Sequence, residues 1–208
     1  MAEVGVPAAV AGELRLARLV VVGLGLIGGS FAKGLRESGR CDEVIGVDLD
    51  PGSRAGALEL GVVDRCETDL AAACAGASLI VLAVPILAME KLLLQLGKLD
   101  LGQAVLTDVG STKGSILRAA RRALPEQLPR FVPGHPIAGS EQSGVEASDG
   151  ELFRHHRVIL TPCAETDDSA LALVEQAWRT LGADVELMDV EHHDEVLAAT
   201  SHLPHVLA

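Results

Sequence analysis

The stretch "RLVVVGLGLIGGSFAKGLRESG", residues 18–39, determines the expected fold. Its first eight residues form a continuous apolar run that ends in glycines, which is typical of a strand buried on both faces. The remainder spaces Ile27, Phe31 and Leu35 at helical intervals. The stretch therefore predicts a buried β-strand that turns sharply into an amphipathic helix.

The same strand–helix pattern recurs along the chain. Further strands are predicted at 43–50, 77–85, 103–110, 130–136, 156–162 and 183–189, and further helices at 51–61, 86–96, 111–124 and 167–182. Strict alternation with short connections is typical of an α/β fold whose parallel strands are joined by crossover helices. We therefore expect a Rossmann-type, doubly wound, mainly parallel sheet.

Composition and charge exclude several other classes of protein. The chain has 208 residues, of which 49% are hydrophobic and only 2% aromatic, and its formal net charge is −12. A strongly acidic protein lacks the basic face that binds nucleic acid or an anionic membrane surface. The four cysteines form no C-x-x-C pair or metal-ligand spacing, so we expect reduced thiols, a cytoplasmic location and no metal. No apolar run is long enough to predict a transmembrane helix.

The glycine-rich turn has the pattern of a phosphate cradle. Gly23 permits a tight turn, Gly25 allows a pyrophosphate to approach the backbone, and Gly28 allows close packing of helix and strand. Asp48 lies 20 residues beyond Gly28, at the end of the second strand. Its carboxylate can accept hydrogen bonds from a ribose 2′-hydroxyl and would repel a 2′-phosphate, which favours NAD over NADP as the cofactor. The predicted cofactor contacts are Gly23, Leu24, Gly25, Leu26, Ile27, Gly28 and Asp48, together with Ala83, Val84 and Pro85 at the end of another strand.

These patterns divide the chain into three parts. We assign 1–17 to a disordered lead-in and 18–188 to an NAD-binding Rossmann-like domain. The apolar positions of 189–208 keep a helical spacing up to the last residue, without a cap or a polar tail. We therefore expect 189–208 to be the first helix of an all-helical domain that is cut short in this chain.

Two further polar segments follow predicted strands, where ligands bind in such sheets. The segment "DVGSTKG", 108–114, places Ser111 at the expected N-cap of the next helix. Lys113 in this segment is interpreted as a solvated lysine. The segment "GHPIAGSEQSG", 134–144, surrounds His135 with small residues and is interpreted as a loop at a strand end.

Four segments together resemble one family. The sequences "GLGLIGGS" (23–30), "DVGSTKG", "GHPIAGSEQSG" and "HHDEVLAATSHLPHVLA" (192–208) are similar, in this order, to those of the prephenate/arogenate dehydrogenases of tyrosine biosynthesis. The resemblance begins at about residue 18 and extends over nearly the whole chain. The glycine motif is shared with many dehydrogenases, whereas the histidine loop followed by "SHLPH" is far more specific.

The resemblance implies an NAD-dependent oxidative decarboxylation of prephenate to 4-hydroxyphenylpyruvate. It assigns His135 as the acceptor of the C4 hydroxyl proton, a role that suits a neutral imidazole near pH 7. It implies that Ser111 hydrogen-bonds the same hydroxyl or helps to align His135. It also implies that Glu141 lies at the mouth of the site and that His205 contacts the substrate. Thr112, in the same segment as Ser111, is also predicted to bind the substrate. His193 and His202 are interpreted as structural.

The resemblance also implies a helical domain that forms a homodimer and supplies an arginine for a substrate carboxylate. We find no defensible candidate for this arginine in the sequence. Alternatives therefore remain open: arogenate as the substrate of the same chemistry, a β-hydroxyacid dehydrogenase, or a non-catalytic NAD-binding module. A β-hydroxyacid dehydrogenase would need a catalytic lysine in a following helix, for which we find no convincing candidate.

Overall fold

A six-stranded parallel sheet forms the centre of the computed structural model, which describes residues 13–139 and 142–198. Its strands are β1 (Leu19–Val22), β2 (Val44–Val47), β3 (Arg65–Glu67), β4 (Leu79–Leu82), β5 (Val105–Asp108) and β6 (Phe131–Val132), in the spatial order β3-β2-β1-β4-β5-β6. The helices between them are α1 (Leu26–Glu37), α2 (Pro51–Glu59), α3 (Leu70–Cys74), α4 (Ile86–Leu96) and α5 (Gly114–Ala123). The strand order reverses between β1 and β4, which is where doubly wound sheets bind their ligands. The expected Rossmann-type sheet is confirmed.

Both faces of the sheet are buried because its strands alternate between two apolar clusters. Leu19 and Val21 of β1 belong to the cluster that contains α1, whereas Val20 and Val22 belong to the cluster that contains α4 and α5. All four side chains are less than a tenth exposed. This double burial explains why the strand appears in the sequence as an uninterrupted apolar run.

A second, three-stranded sheet contains the histidine segment. It is formed by β7 (Gly134–Pro136), β8 (Arg157–Leu160) and β9 (Asp184–Leu187), with β7 antiparallel to β8 and β8 parallel to β9. The single strand predicted at 130–136 is therefore two strands in two sheets. Pro133 lies between them, and it has no N–H group with which to continue the β5–β6 ladder. The first three residues of the histidine segment are thus a strand, as the predicted range 130–136 implies, but they belong to the second sheet rather than to the first.

Two helices follow β8 in the chain. Helix α6 (Asp168–Thr180) packs against β5, β6 and β9 and thereby joins the two sheets, and α7 (Val190–Leu197) follows β9. No helix in the described part of the chain is long and apolar enough to cross a membrane. Helix α7 falls within the helical segment predicted for 189–208, of which residues 199–208 lie outside the described range.

The structure departs from the sequence analysis at the start of the chain and after α2. The lead-in predicted for 1–17 does not extend over residues 13–17, because Leu14 and Leu16 are buried and Leu16 forms a β-bridge with Cys41. Strand β3 and helix α3 were not predicted at all. The three residues of β3 include two charged side chains, so they carry no apolar pattern.

An aromatic cluster connects the second sheet to the first. The Trp178 ring of α6 packs edge-to-face against Phe31 of α1 and Phe153, with ring centroids 4.7 and 5.0 Å apart. All three side chains are fully buried. The cluster fixes α6 between the two sheets.

Phe153→Ala should lower the free energy of unfolding by about 3–5 kcal/mol, because it empties a ring-sized volume at this junction. Urea denaturation followed by the fluorescence of Trp178, the single tryptophan, measures this loss. Leu58→Ala, at a side chain 47% exposed, is the control and should change the free energy by less than about 0.5 kcal/mol. Equal stability of the two variants would contradict the assigned role of the cluster.

Candidate active site

The turn between β1 and α1 lies too close to β4 for ordinary side chains. Gly23 has a φ of +100°, and a Cβ there would collide with the backbone carbonyl of Ala83. A Cβ at Gly28 would collide with the carbonyl oxygen of Gly23 and lie 2.8 Å from the Cβ of Ala83. Glycine is therefore required at both positions by the packing of the turn.

Gly25 faces open space. A Cβ at this position would meet nothing within 4 Å, so a ligand can reach the backbone there. Helix α1 begins at Leu26, has no side-chain cap and carries no acidic residue in its first turn. The backbone N–H groups of that turn have no carbonyl partner in the helix and can bind an anion. Of the predicted contacts, Leu26 and Ile27 are half-buried in this turn, whereas the Leu24 side chain is buried in the core.

Asp48 is fixed beside the glycine turn. Its Oδ2 accepts a hydrogen bond of 2.7 Å from the Leu24 N–H, and its Oδ1 accepts one of 2.9 Å from the Asp50 N–H. Each carboxylate oxygen retains a lone pair for a further donor. The carboxylate therefore lies at the end of β2 in an orientation suited to accept hydrogen bonds from sugar hydroxyls.

The segment that follows β4 forms another wall of the site. The Ala83 N–H donates to the Val22 carbonyl over 2.7 Å, which holds this segment against the end of β1. Ala83 and Val84 are half-buried and Pro85 is exposed. These three residues offer an apolar surface at the point where the strand order reverses.

Lys113 is fully buried, so its interpretation as a solvated lysine is wrong. Its ammonium forms an ion pair with the fully buried Asp108 at the end of β5 and donates to the Gly134 carbonyl over 2.6 Å. Burial raises the pKa of the Asp108 carboxyl and lowers the pKa of the Lys113 ammonium, while their mutual attraction opposes both changes. The pair connects the first sheet to β7 immediately before His135.

His135 belongs to a chain of side-chain hydrogen bonds that reaches α7. Its Nδ1 lies 2.9 Å from Nε2 of His193, and Nδ1 of His193 lies 2.9 Å from Oδ1 of Asp194. The carboxylate of Asp194 also accepts the backbone N–H groups of Lys113 and Gly114, each over 2.9 Å. His193 is fully buried, whereas His135 is half-buried. The connection was not predicted from the sequence, because 58 positions separate the two histidines.

Asp194 rather than Ser111 caps α5. The helix begins at Gly114, three residues later than predicted, so Ser111 is not its N-cap. Ser111 and Thr112 lie half-buried in the connection after β5, and Thr112 shares a 3.1 Å hydrogen bond with the Ser115 hydroxyl. Glu141, His202 and His205 lie outside the described residues, so their predicted roles stay predictions.

Three features define a dinucleotide-binding domain of the dehydrogenase class. They are the strand order, the glycine turn at the point where this order reverses, and the acidic residue after β2. Comparison with known sequences gives the family. The family described as "Prephenate dehydrogenase, nucleotide-binding domain" matches residues 31–187. This chain therefore belongs to the prephenate dehydrogenase family through its nucleotide-binding domain.

Individual relatives agree with this assignment. A cyclohexadienyl dehydrogenase of Zymomonas mobilis is 39% identical over 91% of the chain, and the match spans 64% of that relative. A prephenate dehydrogenase of Aquifex aeolicus, solved with hydroxyphenyl propionate and NAD+, is 38% identical with a TM-score of 0.87, and the match covers 94% of this chain and 68% of the Aquifex chain. An arogenate dehydrogenase of Synechocystis is 34% identical with a TM-score of 0.82. This match covers 90% of this chain and 65% of the Synechocystis chain. The chain thus spans about two thirds of the length of these proteins.

Lys113→Met should lower the free energy of unfolding by about 3–5 kcal/mol, because it leaves the Asp108 carboxylate buried without its partner. Urea denaturation followed by Trp178 fluorescence measures the loss. The double variant Asp108→Asn/Lys113→Met removes both charges and should recover part of it. If the single variant is as stable as the parent chain, the pair does not support β7.

Proposed function

We propose that the protein catalyses the NAD-dependent oxidative decarboxylation of prephenate to 4-hydroxyphenylpyruvate. The observation that carries the proposal is the position of His135. Its strand begins beside the carboxyl end of β5, where Lys113 holds it, and its ring contacts the buried His193. Membership of the prephenate dehydrogenase family supports the same activity.

NAD+ is the proposed cofactor, and the glycine turn fits it. The open backbone at Gly25 and the N–H groups of the first turn of α1 would hold the pyrophosphate. Asp48 would accept hydrogen bonds from the adenosine ribose, and the apolar surface of Ala83, Val84 and Pro85 would contact the nicotinamide. When bound, NAD+ supplies the acceptor for the hydride that leaves ring C4 of the substrate. The presence of NAD+ in the Aquifex prephenate dehydrogenase structure supports this assignment.

His135 is the proposed base. It accepts the proton of the C4 hydroxyl, and the O–H electron pair forms the C4 carbonyl as the hydride departs with the C–H pair. The bond between ring C1 and its carboxylate then breaks and releases CO2, and its electron pair makes the ring aromatic. The C4 oxygen regains a proton and becomes the phenol hydroxyl. A general base in this position contributes about 10²–10⁴-fold to the rate.

The remaining site residues keep their proposed roles. Ser111 hydrogen-bonds the C4 hydroxyl or aligns His135, and Thr112 contacts the substrate beside it. The resemblance assigns Glu141 to the mouth of the site and His205 to the substrate, and both residues lie outside the described range. These roles rest on the family resemblance of the segments that contain the residues.

Arogenate is the second candidate substrate. The 34% identity to an arogenate dehydrogenase supports it, because the two substrates differ only by an amine in place of a keto group. The chemistry at C4 and the role of His135 are unchanged. A non-catalytic NAD-binding module would bind the cofactor at the same turn without needing His135.

The proposed partners are the small-molecule substrate and a second copy of the protein. The homodimer would form through the helical domain that the family resemblance implies. The net charge of −12 speaks against nucleic acid and anionic membranes as partners, and we propose a cytoplasmic location. Sedimentation of the purified protein tests the dimer.

His135→Asn should lower turnover by about 100-fold or more, because the variant lacks the base that takes the hydroxyl proton. The rise of the NADH absorbance band with NAD+ and either prephenate or arogenate is the measurement. The control is His156→Asn, at an exposed histidine whose Nδ1 lies 3.1 Å from the Arg154 carbonyl oxygen. Full turnover of His135→Asn would contradict the role of His135, and no NADH from the parent protein with either substrate would contradict the function.

Asp48→Asn should reduce the preference for NAD+ over NADP+ by about 10-fold or more, because a charged acceptor for the ribose becomes neutral. The asparagine oxygen can still accept the Leu24 N–H, whereas the hydrogen bond from the Asp50 N–H is lost. Calorimetric titration with each cofactor gives the ratio of the two Kd values without any need for turnover. Asp42→Asn, at the opposite end of β2, is the control. An unchanged ratio of the two Kd values in Asp48→Asn would contradict the proposed contact between Asp48 and the ribose.

A further inference from the structure

We propose that His193 and Asp194 are positioning residues that fix the tautomer of His135. The pair holds the proton of the His135 ring on Nδ1, so that Nε2 bears the lone pair. The functional consequence rests on the proposed function, because that lone pair is the one that would accept the substrate proton. The tautomer itself can be tested without substrate or cofactor.

The chain of hydrogen bonds begins at Asp194, whose carboxylate can only accept them. It lies at the start of α5 and binds the backbone N–H groups of Lys113 and Gly114. Partial burial raises the pKa of this carboxyl, but the hydrogen bonds from Lys113, His193 and Gly114 outweigh it and hold the pKa below the ordinary value of 3.8. Asp194 is therefore ionised at neutral pH and stays an acceptor.

The direction of the next hydrogen bond follows from this. Because Asp194 only accepts, the ring nitrogen 2.9 Å from its Oδ1, Nδ1 of His193, must carry a proton. Neutral His193 then has its lone pair on Nε2. Full burial of His193 keeps water from replacing either ring contact.

The last hydrogen bond reaches His135. Its Nδ1 lies 2.9 Å from Nε2 of His193, so with His193 neutral Nδ1 of His135 is the donor. A neutral imidazole with its proton on Nδ1 has its acceptor nitrogen at Nε2. If His193 were protonated on both nitrogens, it would donate to His135 instead and place the proton of His135 on Nε2, which cannot then act as the base.

Two charged groups near this chain of hydrogen bonds in the described part of the structure have other partners. The ammonium of Lys113 is bound to Asp108 and to the Gly134 carbonyl. Asp189 at the start of α7 accepts the backbone N–H groups of Glu191 and His192. The carboxylate that faces His193 is thus that of Asp194.

The first test observes the tautomer directly. Nitrogen-15 NMR of the protein labelled in its histidines, with His135→Asn used for assignment, distinguishes protonated from unprotonated ring nitrogens. We expect His135 at neutral pH to be protonated on Nδ1 and unprotonated on Nε2. The opposite tautomer in the parent protein would overturn the proposal, and this result does not depend on whether any variant folds or on whether the protein turns over prephenate.

The second test separates hydrogen bonding from packing. His193→Phe fills the volume without an acceptor, whereas His193→Gln places an amide oxygen where Nε2 lay. We expect His193→Phe to lower kcat by at least ~10-fold with KM changed by less than about 3-fold, because a wrong tautomer affects chemistry more than binding. His193→Gln should recover most of the loss, and His193→Phe should lose the Nδ1–H signal of His135.

A matched control is available on the same helix. His192→Phe changes an exposed neighbour and should leave kcat and the His135 spectrum unchanged. If His193→Gln is as slow as His193→Phe, or if His193→Phe is as fast as the parent, the positioning role is wrong. If the parent forms no NADH with prephenate or arogenate, the proposed function fails, and the NMR result alone decides the tautomer.

Discussion

The close approach of the β1–α1 turn to the end of β4 is the constraint on which the rest of the site depends. There is no room for a Cβ at Gly23, where the backbone of Ala83 lies against the turn, or at Gly28, where the Gly23 carbonyl oxygen and the Ala83 Cβ lie too close. This contact brings the start of α1 and the end of β4 together at the point where the strand order reverses. It also directs Gly25 toward open space. The same packing therefore shapes the fold and leaves one stretch of backbone exposed to an anion.

The histidine side of the site is built differently, from polar contacts within an apolar protein. Pro133 ends the first sheet, and the chain continues into β7 of the second sheet. The buried Lys113–Asp108 pair ties this strand back to β5 through the carbonyl that precedes His135. Asp194 ties α7 to α5 and holds His193 against His135. Buried polar networks of this kind are costly when broken, so they specify one arrangement of the site.

The sequence predicts the parts of this structure that depend on local pattern. The apolar strands, the glycine turn and the acidic residue after β2 follow from spacing alone, because short-range sterics and burial on both faces dictate them. The three-residue β3 is mostly charged, and it is a strand only because β2 lies beside it. Lys113 and His193 were assigned to solvent and to a structural role, since their partners are brought close only by the folded sheet. Serine is a common N-cap residue, but at the start of α5 the carboxylate of Asp194 from α7 accepts the backbone N–H groups in place of Ser111.

We propose that the glycine turn and the histidine strand serve one site for cofactor and substrate. A crystal structure of the protein with bound NAD+ tests it most directly. We expect the pyrophosphate against Gly25 and the first turn of α1, the ribose hydroxyls on Asp48, and the nicotinamide beside 83–85. We also expect space for one six-membered ring between the nicotinamide and His135. A nicotinamide that points away from β7, or a cofactor bound elsewhere, would contradict the claim.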